Sequence, residues 1–328
     1  MKILGIGNAI VDILCQVDDE FLAKNNLIKG SMSLIDEEMA EKLSKLPTKK
    51  ITSGGSACNT IATMAQLKTL AAFIGKVGDD KFGEKFIDEI HKTKIEFLGA
   101  KSCGKTTAKS FVLITPDAQR TMCTFLGCAS EINENEVDEK AFFNTAILYL
   151  EGYLWDAPTT IAALKKSILY AKKHGAKIAF SLSDSFCVAR HKSDFLELIK
   201  NDLDILFANE FEANELAPNF AEIFAYNPNL IAVVTKAKNG CQVFYQEKSE
   251  AKLTQKSLIL PAQKITKLID TTGAGDAFAA GFLQGLISGF NLEKCANLGN
   301  FLASKIIQKL GARFEAKDKI CDIALRKY

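Results

Sequence analysis

Along this chain of 328 residues, short apolar runs rich in β-branched side chains alternate with stretches of helical period. The apolar runs predict strands over residues 3–6, 71–77, 146–150, 177–182, 205–208 and 230–235. Apolar positions recurring every three or four residues predict helices over 56–67, 81–94, 159–174, 194–200, 211–216, 276–288 and 292–310. Strands apolar throughout and separated by helices belong to a mostly parallel sheet covered on both faces, so the fold class is α/β. Two stretches break the rhythm. Near residues 12–35 (IVDILCQV, SMSLI) and 97–126 (TTAKSFVLIT, RTMCTFLG) the pattern is β-like without helices. It predicts a small β lid of residues 12–35 and 97–126 over a cleft in a large α/β body of residues 1–11, 36–96 and 127–328.

Charge and cysteine usage narrow the function classes. With 41 basic and 39 acidic residues the net charge is +2, which gives no broad footprint for nucleic acid. The pairs Lys165-Lys166 and Lys172-Lys173 read as the wet face of one helix. Nine cysteines lie singly, without a Cys-x-x-Cys pair, and His91, His174 and His191 are isolated, so no zinc spacing is present. Dispersed thiols in odd number suit a reducing compartment. The apolar N-terminus carries Asn8 and Asp12, unlike a signal peptide, and the longest uncharged run, 277–292, is short for a membrane span. A cytoplasmic protein without a membrane partner is expected.

Three glycine motifs invite a phosphate. Gly99 to Thr106 satisfies G-x-x-x-x-G-K-[ST], but TAKSFVLITPD follows, which is a strand and not the helix a P-loop needs. A surface turn around Lys105 is expected. Gly5-Ile-Gly7 has Ile10 where a dinucleotide fingerprint has its third glycine, and no helix opens there. The third motif, IDTTGAGDAFAAGF over 269–282, has the right context: a strand-like 265–269, a turn over 271–275 and a helix from Asp276. Backbone amides from Gly273 through Ala274 and Gly275 to Asp276 would converge near the helix N-terminus. Asp276 could be an N-cap worth about 1 kcal/mol. A second carboxylate, Asp270, and glycines on both sides of Ala274 favour chemistry instead. A carboxylate beside an anion hole suits phosphoryl transfer, with the amides on the phosphoryl oxygens and Asp276 taking the proton of an attacking hydroxyl. Gly281 and Gly285, four apart on that helix, are assigned to close packing.

Asp270-Thr-Thr-Gly-Ala-Gly-Asp276 resembles the C-terminal signature of the ribokinase-type (PfkB) carbohydrate kinases. Gly54-Gly55-Ser56-Ala-Cys-Asn59 is similar to the N-terminal signature that holds sugar hydroxyls, and Asp12 matches an aspartate binding two of them. The resemblance covers the whole chain and implies a ribokinase-like fold with a β lid, ATP as phosphate donor and Mg2+. It places Asn209 and Glu212 in an N-x-x-E motif that organises magnesium through waters, and Asp184 at the rim of that site. Asn300 falls near the adenine; Thr235 and Gly240 belong to a nucleotide segment in which Ala237 stands where a glycine is usual. Asp270 and Thr272, with Gly311-Ala312, resemble a monovalent-cation site used by some members, K+ being the ion. The strand after Arg120 would return over the substrate.

Ser56 after the glycine pair, Asn8 four before Asp12, Gly152-Tyr153 and LSDSFCVARH resemble the bacterial adenosine kinase-like members. The implied acceptor is the 5′-hydroxyl of adenosine or a related nucleoside, with Asn8 among the substrate residues. A free sugar, ribose or fructose, would need the same catalytic residues, and a non-catalytic nucleoside or sugar sensor stays open. The chain is expected as a monomer or homodimer.

Overall fold

The computed structural model describes residues 1–117, 119–248 and 253–327. In chain order its strands are β1 (Lys2–Ile6), β2 (Ile10–Gln16), β3 (Met32–Leu34), β4 (Thr48–Gly54), β5 (Leu70–Ile74), β6 (Lys76–Gly78), β7 (Ile95–Phe97), β8 (Ala100–Ser102), β9 (Ala108–Ile114), β10 (Arg120–Phe125), β11 (Thr145–Glu151), β12 (Lys177–Ser181), β13 (Ile205–Asn209), β14 (Ile231–Thr235), β15 (Cys241–Lys248) and β16 (Leu253–Leu260). The helices are α1 (Asp19–Lys24), α2 (Glu37–Ser44), α3 (Ser56–Gln66), α4 (Lys81–Lys92), α5 (Pro158–Lys173), α6 (Ser185–Asn201), α7 (Glu210–Leu216), α8 (Ile223–Tyr226), α9 (Ala274–Ile287), α10 (Leu292–Ile306) and α11 (Ile320–Lys327). None of them is long and apolar enough to cross a membrane, among the described residues.

The large sheet runs β16-β15-β14-β13-β12-β11-β1-β5-β7. From β14 to β7 every pairing is parallel; β15 and β16 add an antiparallel edge. Alternation along the buried strands divides their side chains between two cores. Ile147, Tyr149, Ile205, Phe207 and Val233 join the core under α3, α4, α9 and α10. Leu148, Leu150, Leu206, Ala208, Ala232 and Val234 join the core under α5 to α8. The expected mostly parallel α/β sheet flanked by helices is what forms. Against it lies a five-stranded sheet in the order β3-β10-β9-β2-β4, whose Val11, Ile13, Phe111 and Leu113 share the first core.

Several local readings change. β4 pairs antiparallel with β2, Ile10 opposite Gly54, so residues expected in the large body belong to the small sheet. Its sequence TKKITSG is mostly polar and exposed at the start, which hides a strand from an apolar pattern. A helix, α1, interrupts 12–35; Asp18 caps it, accepting from the Phe21 amide. Residues 71–77 divide at Gly75 into β5 and β6. The segment 265–269 is not a strand. It runs irregularly with Ile265, Leu268 and Ile269 exposed, held by the Ile269 amide on the Ile307 carbonyl. The helix expected over 194–200 is the second half of α6, which kinks at His191. The last long helix stops at Ile306, short of residue 310.

Candidate active site

The glycine turn meets the N-terminus of α9. Gly273 is its N-cap with φ +76°, and a Cβ there would sit 2.7 Å from the Ala312 Cβ. Gly275 faces open space, with nothing within 4 Å of a would-be Cβ. The Ala274 amide donates to the Thr271 carbonyl at 3.2 Å. A first helical turn leaves its other amides without partners inside the helix. Asp276 lies in that turn and is not the cap. Its Oδ1 accepts from Ser56 Oγ at 2.6 Å and its Oδ2 from Asn59 Nδ2 at 3.1 Å, both from α3. Burial pushes its carboxyl up to about 6, against those two bonds and the charge of Arg313.

The glycine pair leads from β4 into α3. A Cβ on Gly54 would lie 2.4 Å from Asp12 Oδ2, and one on Gly55, with φ +91°, 2.2 Å from the Asn8 carbonyl oxygen. Asp12, on β2, is therefore packed against bare backbone. Burial pushes it up to about 7, Arg313 opposing and Asp276 adding to the shift. Asn8, just past β1, is buried, and its side-chain Oδ1 has no hydrogen-bond partner. Its amide donates to Glu151 Oε1 at 2.8 Å, while Oε2 of the same glutamate accepts from the Ala57 amide at 2.6 Å. Glu151, at the end of β11, thus closes the N-terminus of α3, and burial raises its carboxyl to about 7.

Asp270 is saturated. Oδ1 accepts from the amide and hydroxyl of Thr272 at 3.0 and 2.7 Å; Oδ2 accepts from the Gly311 amide at 2.6 Å and meets Arg120 Nη1 at 2.6 Å. Arg120 also donates to the Thr272 hydroxyl at 3.2 Å. A guanidinium and two amides face this carboxylate. The residues do not fit a bare cation there in this position of the small sheet, and no step is derived through one.

Asn209 and Glu212 form a capping box on α7. The Asn209 amide donates to Glu212 Oε2 at 2.9 Å, and the Phe211 and Glu212 amides donate to Asn209 Oδ1. Burial, then the charge of Asp184, raises the Glu212 carboxyl to about 7. Asp184 caps α6, accepting from the Cys187 amide at 2.7 Å. Two hard oxygen donors with backbone bonds already made fit a hydrated Mg2+ held through waters better than direct ligation. Among the described residues no three His, Cys, Asp or Glu side chains gather as a metal site.

Asn209 and Thr235 are register partners at the ends of β13 and β14. The Thr235 hydroxyl points back to the Ala208 carbonyl at 3.4 Å. Gly240 has φ +91° and would place a Cβ 2.0 Å from the Leu260 carbonyl oxygen. Asn300 is turned inward, donating to the Pro261 carbonyl at 3.2 Å and to Cys241 Sγ at 3.5 Å. Of the two glycine motifs set aside in the sequence, the one ending at Thr106 is followed by β9 (108–114), with Lys105 paired to Glu131, and Gly5-Ile-Gly7 is followed by β2 and not by a helix. Gly281 and Gly285 do pack closely: Cβ atoms there would meet Leu298 and Cys295 at 2.7 and 2.8 Å.

Sequence reasoning passed over two residues. Glu151 reads as the polar end of an apolar strand. Arg313 reads as one of four scattered arginines, yet its guanidinium reaches Ser53, Gly54 and Asn59. Its scarcity was the available signal, since Arg120 and Arg313, half of the arginines, meet at this one site.

The model of the pfkB family carbohydrate kinases matches residues 24–319. This chain belongs to that family. It is a phosphotransferase with an alcohol group as acceptor and ATP as the donor the family implies. It is 27% identical to adenosine kinase of Saccharomyces cerevisiae, over 95% of this chain and 96% of that protein. Among solved structures, adenosine kinase from Sinorhizobium meliloti is 38% identical with a TM-score of 0.87, covering 100% of this chain and 99% of that one. A probable sugar kinase from Rhizobium etli CFN 42 is 35% identical with a TM-score of 0.88, covering 99% and 98%. This kinase is adenosine kinase-like in sequence and in fold.

Proposed function

We propose that this kinase transfers the γ-phosphoryl group of MgATP to the 5′-hydroxyl of adenosine or a related nucleoside. The observation that carries the reading is Asp276: a buried carboxyl near 6, held by Ser56 and Asn59 at the first turn of α9. Such a group is ionised at neutral pH and basic enough to take a hydroxyl proton as the oxygen attacks phosphorus. The amides of Gly273, Ala274, Gly275 and Asp276 supply the anion hole, with Ala274 leaving its bond to Thr271 on closure. Asp12, Asn59 and the backbone of Gly54 and Gly55 hold the ribose hydroxyls, and the unpartnered Asn8 Oδ1 accepts from the acceptor molecule. Asn209, Thr235, Gly240, Thr272 and Asn300 border the nucleotide. Glu212, with Asp184 beside it, would hold Mg2+ through waters; the ion, when bound, offsets phosphate charge.

The nucleoside reading is supported by likeness to adenosine kinases along the whole chain. A free-sugar acceptor is supported by the Rhizobium etli likeness and would use the same base. ADP release from MgATP, measured separately with adenosine, inosine, guanosine, ribose and fructose, distinguishes them. Turnover on adenosine is the expected result. Turnover on a free sugar alone would discard the nucleoside, and binding without ADP release would leave a sensor.

A further inference from the structure

The loop after α10 braces the glycine turn at three consecutive residues. The Gly311 amide donates to Asp270, Ala312 packs against Gly273, and Arg313 reaches across to α3. The guanidinium of Arg313 is shared three ways: Nε to Asn59 Oδ1 at 2.8 Å, Nη1 to the Ser53 hydroxyl and Nη2 to the Gly54 carbonyl at 3.2 Å. The consequence falls on Asn59. With its Oδ1 taken by a cation, its Nδ2 is left for Asp276 Oδ2. The opposite flip would set an amide NH2 against a guanidinium and a carbonyl against a carboxylate, two repulsive contacts.

We infer that Arg313 is a positioning residue for phosphoryl transfer: it fixes the amide of Asn59, and through it the orientation of Asp276. The inference rests on the reading of Asp276 as base. The three acceptors lie on two elements and each takes a different nitrogen of the planar fork, a spread that the three N–H groups of an ammonium, all on one nitrogen, do not match. The charge also acts at range on Asp276, which is faced by Asp12 from β2 and by Tyr149 and Glu151 from β11.

Two measurements on the full chain test this: titration of the Asp276 carboxyl carbon by 13C NMR, assigned by its loss in Asp276→Asn, and ADP release with MgATP and adenosine. Arg313→Lys keeps the charge without the fork, and Arg313→Met loses both. Each is expected to lower kcat by about 10- to 100-fold, the scale of a displaced catalytic group, with a smaller change in KM. The Asp276 titration should move up in Arg313→Met and stay near wild type in Arg313→Lys. Arg313→Lys, which keeps the charge, should add nothing in an Asn59→Ala background, because both then act through one contact. Losses that multiply, or an Asp276 titration unmoved in Arg313→Met, overturn the inference; a merely structural role would move the unfolding midpoint alone. Wild-type turnover in Asp276→Asn would instead sink the base assignment. If adenosine is not turned over, the titration and a stability cycle of Arg313→Met with Asn59→Ala decide.

Discussion

Arg120, at the start of β10, meets Asp270, just before the glycine turn, Nη1 to Oδ2 at 2.6 Å, with side chains 14% and 1% exposed. Removing one partner of a buried pair costs more than the pair contributes, because the other charge is stranded. Arg120→Met leaves Asp270 its bonds to Thr272 and Gly311, so a loss of about 1–3 kcal/mol is expected. Asp270→Ala strips every donor of its acceptor and should cost about 3–5 kcal/mol. Urea unfolding of both variants measures the difference. An Arg120→Met midpoint equal to wild type would show the contact absent in solution.

Asp276→Asn keeps shape and removes the proposed base; kcat should fall about 10²- to 10⁴-fold. Asp12→Ala, by contrast, should raise KM for the acceptor with kcat little changed, since it removes binding common to ground and transition states. Steady-state kinetics with the acceptor that turns over fastest separates the two. Equal effects on kcat and KM in both variants would merge the roles assigned to them.

Activity and stability should trend in opposite directions with pH. As the proposed base Asp276 must be ionised to act, so kcat/KM is expected to rise through about pH 6, to which burial raises its carboxyl. Asp12, Glu151 and Glu212 sit near 7, all above their ordinary values. A raised carboxyl binds its proton more tightly folded than unfolded. Its contribution is complete below the unfolded value and is lost as pH rises through the folded one. The substrate-free protein should therefore resist urea better at about pH 5 than at about pH 7.5. A midpoint that climbs over that window would mean these groups are not raised.

Ala237 holds φ +47°, a left-handed backbone for a residue with a Cβ. It lies in the segment proposed to border the nucleotide, at the position where the family resemblance implies a glycine. Ala237→Gly relieves about 1–2 kcal/mol of local strain and adds unfolded-state entropy of about 0.4–1 kcal/mol. A net gain of about 0.5–1 kcal/mol is expected, seen as a higher Tm. A lower Tm would place the backbone elsewhere in solution.

The parallel body was legible because β1, β11, β13 and β14 are apolar on both faces, and such strands have few alternatives. The glycine turn and α9 were legible for a local reason, since Gly273 takes φ +76°, a left-handed backbone that glycine adopts without steric cost. What escaped was set by distant partners. β4 is polar in sequence and becomes a strand because β2 offers it an edge. Glu151 and Arg313 owe their places to contacts 94 and 254 residues away, a separation that no window of sequence displays. Residues 265–269 failed in the other direction: apolar enough for a strand, they find no neighbour to pair with and tie to the end of α10.

One residue, Gly55, separates the last strand of the small sheet from α3. The linkage has no slack. A tilt of that sheet about its attachment turns the first turn of α3 with it, and Ser56 and Asn59 are in that turn. Any movement of the small sheet is thereby carried directly to the two side chains that grip the Asp276 carboxylate.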